Sequence, residues 1–513
     1  MKTSLYIILP ALAASLCLGQ SNPKNDVMGK AYWDHWNPEV QAKIDRDIDQ
    51  NRKASAVLQL TSAAAGADIK IEQISHDFVF GANIFNFNQL GTPERNRKYK
   101  ELFGAFFNSA TLAFYWKTLE VEPGKPRFKE EPRDTEEYWN NLTQQGEPKQ
   151  EPHWRRPATD PVVEFCESKG IRIHGHPMIW GHQGHHPEWV YEQFCPADEK
   201  KNIEEAGGMK EAVLTMKPAE IEKIAPVYIK ELKRLFDKRV TELAQYYGAR
   251  VNSWDVVNES VKDYAGDCLT GDAVCASKYD RMMPGDYTYH AFKLAGALVP
   301  KPVLLNINEY QISEKYTAQI KDLLAKGCRV EIAGLQRHIF TLKEAGEIAR
   351  GKQKSTPRQE IDAINLVASA GLPVHISEIT IPGPENTAKG REIQAVLARN
   401  LYRVWFSAKP VMGITWWNVV DGCGAPKEPT TSGLFTRDMQ PKPAFHALNK
   451  LINGEWKTNL SLKADETGKV QFRGFKGKYR VTWKDNSGRE QQEEFYLKND
   501  GDGNAAAGNS KAQ

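Results

Sequence analysis

The chain has 513 residues, enough for one large domain with a small appendage or for two or three medium ones. Its 68 basic and 65 acidic residues leave a formal charge of +3 with no long run of one sign, so nothing pulls it toward nucleic acid or an anionic membrane surface. Aromatic residues are plentiful, with 13 Trp, 18 Tyr and 20 Phe; most belong in a core, and the remainder would serve as flat platforms for sugar faces.

Residues 1–20 read as a secretory signal peptide: Lys2 is basic, Leu5 to Leu18 is mostly apolar, and small residues lie near a cleavage point at Gly19 or Gln20. The expected location is therefore secreted or periplasmic. The apolar stretch is short for a membrane span, and no later stretch approaches ~20 apolar residues. Cys17 raises a lipoprotein anchor, but bulky Leu16 precedes it where lipid attachment wants a small residue, so lipidation is not expected. Loss of the leader leaves Cys166, Cys195, Cys268, Cys275, Cys328 and Cys423. Cys268 and Cys275 close a short Gly- and Asp-containing loop and are the expected disulfide pair, while the pairing of the other four is open. No Cys or His spacing suggests a metal site, and no cofactor is expected.

Residues 21–75 read as an N-terminal extension, with helical spacing over 36–53 followed by strand-like Ala56–Leu60 and Ile69–Ile71. From Phe78 onward, apolar runs alternate with amphipathic stretches. The runs are Phe78–Asn83, Ser109–Tyr115, Ile171–Ile179, Val251–Glu259, Val303–Asn308, Val330–Gln336, Val374–Glu378 and Met412–Val419. Helical-period segments include 218–247, 315–327 and 387–407. Strands alternating with helices imply a parallel sheet, and eight units imply closure into a TIM (β/α)8 barrel over 76–451. Residues 125–160, rich in Pro, Glu and Arg, are expected to form an elaborated surface loop. Residues 452–498 change to short alternating runs with turn residues between them, predicting a small β appendage, either a sugar-binding module or, by default, a brace on the barrel. The tail, 499–513, is Gly-, Ala- and Asn-rich and expected to be disordered.

Two of the runs end in a glutamate. Glu259 follows Asn258, with Trp254 and Asp255 in an otherwise apolar strand, and Glu378 closes Val374-His-Ile-Ser-Glu. Strand C-termini are where such barrels hold their chemistry. Two carboxylates across an extended polar substrate are the equipment for hydrolysing a glycosidic bond. The general acid must keep its proton, which partial desolvation beside a second carboxylate favours. The second must stay ionised to attack the anomeric carbon, which requires hydrogen-bond donors around it. The structural alternative, a buried ion pair, lacks a Lys or Arg on either run. His174-Gly-His176-Pro ends the third run and Gln336-Arg-His338 the sixth, so polar groups gather at the same ends. Trp416-Trp417 closes the eighth; one of the two is expected to floor the sugar ring and the other to pack.

With these motifs in this order the sequence resembles glycoside hydrolase family 10, whose commonest activity is retaining endo-β-1,4-xylanase, over roughly residues 75–450. The matching motifs are Phe80-Gly-Ala-Asn83, His174-Gly-His-Pro-Met-Ile-Trp180 with Gln183, and Trp254-Asp-Val-Val-Asn-Glu259. Asn308-Glu-Tyr310, Gly334-Leu-Gln-Arg-His338 and Ile376-Ser-Glu378 follow, then Gly413-Ile-Thr-Trp-Trp417 with Asp421 and Pro441-Lys-Pro443. The resemblance implies Glu259 as acid/base, Glu378 as nucleophile and Asn258 as partner of the sugar 2-hydroxyl. It also implies that His176, Lys117 and Gln183 hold sugars on the non-reducing side, that Gln336 and His338 orient the carboxylates, and that Trp417 packs on the reacting ring. Trp180 and Tyr310 complete the substrate-binding candidates. The chain departs from the family at several points. Ala113-Phe-Tyr-Trp-Lys117 stands where a Glu-Asn pair usually precedes the Lys. Thr380 stands where an Asp usually ends the His338 hydrogen-bond chain, Gly181 replaces a His, and an aromatic lid is replaced around Gly424-Ala425. The expected protein is a monomeric, secreted, retaining hydrolase acting inside xylan chains on a polysaccharide partner. Its rivals are a relative with another specificity (decorated xylan, β-glucan or exo-acting) and a non-catalytic carbohydrate-binding barrel.

Overall fold

The computed structural model describes residues 27–60, 63–143, 156–264, 281–425 and 428–503. The expected leader, the Cys268–Cys275 pair and the tail beyond 503 lie outside the described residues. Fifteen strands are present among them: β1 Lys53–Gln59, β2 Asp68–His76, β3 Val79–Asn83, β4 Ser109–Ala113, β5 Arg172–His176, β6 Ile179–Trp180, β7 Ser253–Asn258, β8 Leu304–Glu309, β9 Ile332–His338, β10 Val374–Thr380, β11 Val411–Trp416, β12 Asn459–Lys463, β13 Lys469–Phe475, β14 Gly477–Lys484 and β15 Glu490–Leu497.

Strands β3, β4, β5, β7, β8, β9, β10 and β11 pair in parallel in that order, and β11 pairs back onto β3, closing an eight-stranded barrel. Each coincides with one of the eight apolar runs to within a few residues. The short β6 continues past β5 and pairs with the end of β7. The runs are continuous rather than alternating because both faces are covered, by barrel interior on one side and helices on the other. Five surrounding helices begin behind a Ser or Thr whose hydroxyl accepts the backbone N–H three residues on: Thr92, Ser313, Thr341, Thr356 and Thr387. The segment 218–247, expected as one helical stretch, is two helices, Pro218–Ile224 and Pro226–Tyr247. Pro226 lacks an N–H and pushes Ala225 out of helical geometry, so the chain bends there. No described helix is long and apolar enough to cross a membrane.

The terminal segments, separate in the sequence, are joined by hydrogen bonding. Strand β1 pairs antiparallel with β13, while β2 lies between β12 and β14 in a four-stranded sheet completed by β15. Ala54, Ala56, Leu58, Ile69 and Ile71 from the N-terminal side share one core with Val470, Phe472, Tyr479, Val481 and Trp483 from the C-terminal side. The extension and the appendage are thus one β unit, from which β2 leads directly into the barrel.

The stretch 125–160, expected as a surface loop, is partly built into the body. Arg127 and Asp134 form a buried ion pair, Phe128 stacks on Tyr246 with ring centroids 4.1 Å apart, and Trp139 is buried. Cys166, Cys195 and Cys328 are free, buried thiols, and Cys423 is buried with Arg437 Nη1 3.6 Å from its sulfur.

Candidate active site

A cleft of about 510 Å³ opens at the C-terminal ends of the barrel strands, and both glutamates line it. Strand registry explains why. Asn258 of β7 lies beside Asn308 of β8, Asn308 beside Gly334 of β9, Gln336 of β9 beside Glu378 of β10, and His338 beside Thr380. Because side chains two apart share a face, Gln336 and His338 both meet the side that carries Glu378 and Thr380. Gly334 lacks a Cβ where the Asn308 carboxamide passes, and any Cβ there would collide with Asn308 Oδ1.

Glu259 sits one residue past the end of β7 with φ +56°, a conformation strained for a residue with a Cβ. Its backbone N–H donates to the Asn308 carbonyl at 2.7 Å. Trp180 Nε1 donates to Glu259 Oε2 at 3.0 Å, and Gln336 Nε2 to Oε1 at 3.0 Å. Glu378, buried within β10, receives Asn308 Nδ2 on Oε1 at 2.6 Å and His338 Nε2 on Oε2 at 3.3 Å. The same Asn308 amide donates to Asn258 Oδ1 at 2.9 Å, while Asn308 Oδ1 accepts from Ser377 at 2.5 Å. Gln336 Nε2 also approaches Asn258 Oδ1, at 3.4 Å. The two carboxylates therefore hang on one continuous chain of neutral amides. Glu378 has no Lys or Arg within ion-pair distance among the described residues.

A second layer lies behind it. Buried Asp255 accepts on Oδ2 from His176 Nδ1 at 2.6 Å and on Oδ1 from Asn306, and His174 Nε2 stands 3.0 Å from Oδ2 as an ion-pair neighbour. Burial pushes the Asp255 carboxyl up, but the two imidazoles outweigh it and hold the group well below the usual carboxylate range. Burial opposes a proton on His176; its bond to Asp255 and the charges of Glu378 and Glu259 prevail and raise its pKa. His176 Nε2 stands 4.0 Å from Glu378 Oε1. His338 Nδ1 faces Thr380 Oγ1 at 2.9 Å, so a neutral hydroxyl takes the place of the family's acid. Against an ionised Glu378, His338 Nε2 acts as the donor, and the Thr380 hydroxyl, which can donate or accept, partners Nδ1.

The side wall is aromatic and cationic. Phe85 meets Trp417 edge-on at 5.3 Å and Tyr115 at 5.9 Å, and Tyr115 meets His176 at 5.5 Å and Trp180 at 5.9 Å. Arg156 lies over the Phe85 ring at 4.5 Å and over Tyr115 at 5.8 Å. Burial drives the Tyr115 hydroxyl far above its usual range.

Of the eleven residues singled out from sequence, Glu259, Glu378, Asn258, His176, Trp180, Gln336, His338, Trp417 and Lys117 line this cleft. Lys117 is at its rim, paired with Glu188 at 2.7 Å. The remaining two are not brought to the lining. Gln183 is exposed between the lining residues His182 and Gly184, and His182 stacks on Trp180 at 4.5 Å. Tyr310 is 39% exposed, with Lys262 near its ring and its hydroxyl accepting from Gln311. A strand-end motif fixes the strand but not the reach of residues on the loop beyond it. Sequence reasoning quoted Asn308 without giving it a role, and it missed Phe85, Arg156, Asn418 and Glu428. Asn308 stood in a matching motif and could have been found there; Arg156 follows an insertion with no pattern to align it.

A closed (β/α)8 barrel with paired glutamates at its fourth and seventh strands defines a class of carbohydrate-acting barrels. The chain belongs to glycosyl hydrolase family 10, whose family model matches residues 72–451. It is 22% identical over 460 residues to endo-1,4-beta-xylanase 1 of Arabidopsis thaliana, covering 85% of this chain and 37% of that protein. It is 24% identical over 310 residues to endo-1,4-beta-xylanase B of Paenibacillus barcinonensis, covering 56% and 79% respectively. Among solved structures, native xylanase 10B from Thermotoga maritima shares the fold with a TM-score of 0.50 at 19% identity, over 74% of this chain and 96% of that one. The chain spans only about a third of the length of the two Arabidopsis relatives, 37% and 32%.

Proposed function

We propose that this protein is a retaining glycoside hydrolase that cleaves internal β-1,4 bonds of xylan by double displacement. The carrying observation is the amide chain that joins Glu259 to Glu378 through Gln336, Asn258 and Asn308 with neutral donors alone. Glu378, with donors on both oxygens, attacks the anomeric carbon while Glu259 gives its proton to the departing glycosidic oxygen. The glycosidic C–O bond breaks and a glycosyl ester forms on Glu378. Glu259, now a carboxylate, takes a proton from water. The resulting hydroxide equivalent displaces Glu378, and the anomeric configuration is retained. With Asn258 Oδ1 occupied by Asn308 and Gln336, its Nδ2 remains to donate to the substrate 2-hydroxyl. Trp417 supplies an apolar face beside the reacting ring. The signal-like residues 5–18 support action outside the cytoplasm.

One observation favours a second reading with the same chemistry on a different glycan. Tyr115 and Arg156 stand on the cleft wall near the second-strand motif, where the family usually presents a Glu-Asn pair, so a decorated xylan or another β-glycan would meet a cation over aromatic rings. Hydrolysis of linear xylan, glucuronic-acid-bearing xylan and β-glucan, with product analysis, separates the two. For the chemistry itself, Glu259→Gln and Glu378→Gln are each expected to lower kcat on xylan by at least about 10²–10⁴-fold. Near-normal rates in both variants would mean that hydrolysis does not run through these two glutamates; binding without turnover in the wild type would mark a non-catalytic sugar-binding barrel.

A further inference from the structure

At the opposite end of the barrel, between the strand N-termini and the β unit, lies a second cavity of about 600 Å³. Four cationic side chains line it, Arg52, Arg172, Lys409 and Lys476, against a single carboxylate, Asp77, an excess of three positive charges. Arg52 is clamped between the Phe78 and Phe406 rings, 4.8 and 5.2 Å away, and donates Nε and Nη2 to the carbonyls of Phe406 and Ala408, both at 2.5 Å. Its Nη1 has no hydrogen-bond partner among the described residues. Arg172 donates to the carbonyls of Asp77 at 2.9 Å, Phe78 at 3.1 Å and His76 at 3.4 Å. None of the four cations has a carboxylate within ion-pair distance among the described residues. Arg52, Arg172 and Lys476 are half-buried and Lys409 is exposed at the mouth; partial loss of water, opposed only by the charge of Asp77, pushes Arg52 down to about 9. Bonds to backbone carbonyls satisfy their geometry but leave the net charge.

We propose that this cavity binds a small organic anion, a carboxylate or phosphate ester about the size of one or two sugar rings, with the oxyanion held among Arg52, Arg172, Lys409 and Lys476. The charge calls for an oxyanion, which guanidinium groups recognise well. The volume falls in the range of small-molecule sites and leaves room beyond a bare inorganic ion. The site lies on the far face of the barrel from the cleft and is independent of the chemistry proposed there.

The test is isothermal titration of the full chain with D-glucuronate, glucose 6-phosphate, inorganic phosphate and neutral glucose, in the wild type and in the Lys409→Glu/Lys476→Glu double variant. A Lys409→Met/Lys476→Met pair serves if the charge reversal fails to fold. The expected result is saturable one-to-one binding of at least one sugar anion, weakened about tenfold or more in the double variant, with hydrolysis in the cleft unchanged. The tighter of the two sugar anions identifies the charged group. Binding unaffected by the lysine substitutions, no anion saturating below about 10 mM, or inorganic phosphate binding as tightly as either sugar overturns the proposal.

Discussion

Asn308 Nδ2 serves two acceptors at once, Glu378 Oε1 and Asn258 Oδ1, and so fixes Glu378, the proposed nucleophile, relative to Asn258, the proposed partner of the 2-hydroxyl. Replacing it with Asp removes both donors and sets a carboxylate against Glu378. Asn308→Asp is expected to lower kcat about 10–100-fold with little change in KM, measured by steady-state kinetics; a change confined to KM would assign Asn308 to uniform substrate binding. A different buried acid governs pH dependence. Glu309 accepts the N–H groups of Val261, Tyr310 and Gln311 behind the Glu259 loop. Burial, reinforced by the charge of Glu259 and opposed by those N–H groups, pushes it up to about 7 from 4.5. A folded-state pKa above the unfolded value means that the stability it contributes is full below pH about 4.5 and is lost as pH rises through about 7. The loss amounts to roughly 3 kcal/mol. Thermal unfolding between about pH 5 and pH 8 is therefore expected to show a decline in the wild type that is shallower in Glu309→Gln; parallel slopes would contradict it. At this scale the sequence was readable where a residue sat at a strand end with a distinctive neighbour, as Glu259 did after Asn258. Asn308 was not assigned, because a strand-end amide reads equally as a satisfied buried polar group.

Between elements, close packing of neighbouring strands does the positioning. Gly175 of β5 faces the Trp254 ring of β7, and Gly334 of β9 faces the Asn308 carboxamide. Gly334→Ala is expected to push Asn308 off Glu378, lowering the unfolding midpoint by the equivalent of about 1–3 kcal/mol and reducing kcat as well. A midpoint drop without a rate effect would separate packing from alignment. All eight barrel strands were legible because continuous apolar runs with polar ends mark buried parallel strands, whereas their registry was not. The 218–247 helix was read through Pro226, where the missing N–H breaks it. The path of 125–160 was opaque for another reason: Arg156 reaches the cleft by tertiary packing, which leaves no local period in the sequence.

For the molecule as a whole, the two ends of the chain hold each other. Strand β2 has β12 on one side and β14 on the other, contacts formed between residues separated by nearly 400 positions, such as Glu72 with Asn459. Sequence texture identified β strands in both segments and missed their union, since pairing at that distance leaves no trace in either stretch alone. Deleting residues 459–503 is expected to expose Ile69 and Ile71 and leave two open edges on β2, producing insolubility or a clearly lowered unfolding midpoint. An unchanged midpoint would show that the C-terminal strands are dispensable ornament. The central claim rests on the barrel's other face, where Glu378 is held to form a covalent glycosyl ester. The direct measurement is to inactivate the enzyme with a 2-deoxy-2-fluoro-xylobioside bearing a good leaving group and to map the adduct by peptide mass spectrometry. One adduct on Glu378, absent from Glu378→Gln, is the expected result; an adduct on another residue, or substrate turnover with inverted configuration and no adduct, would contradict the account.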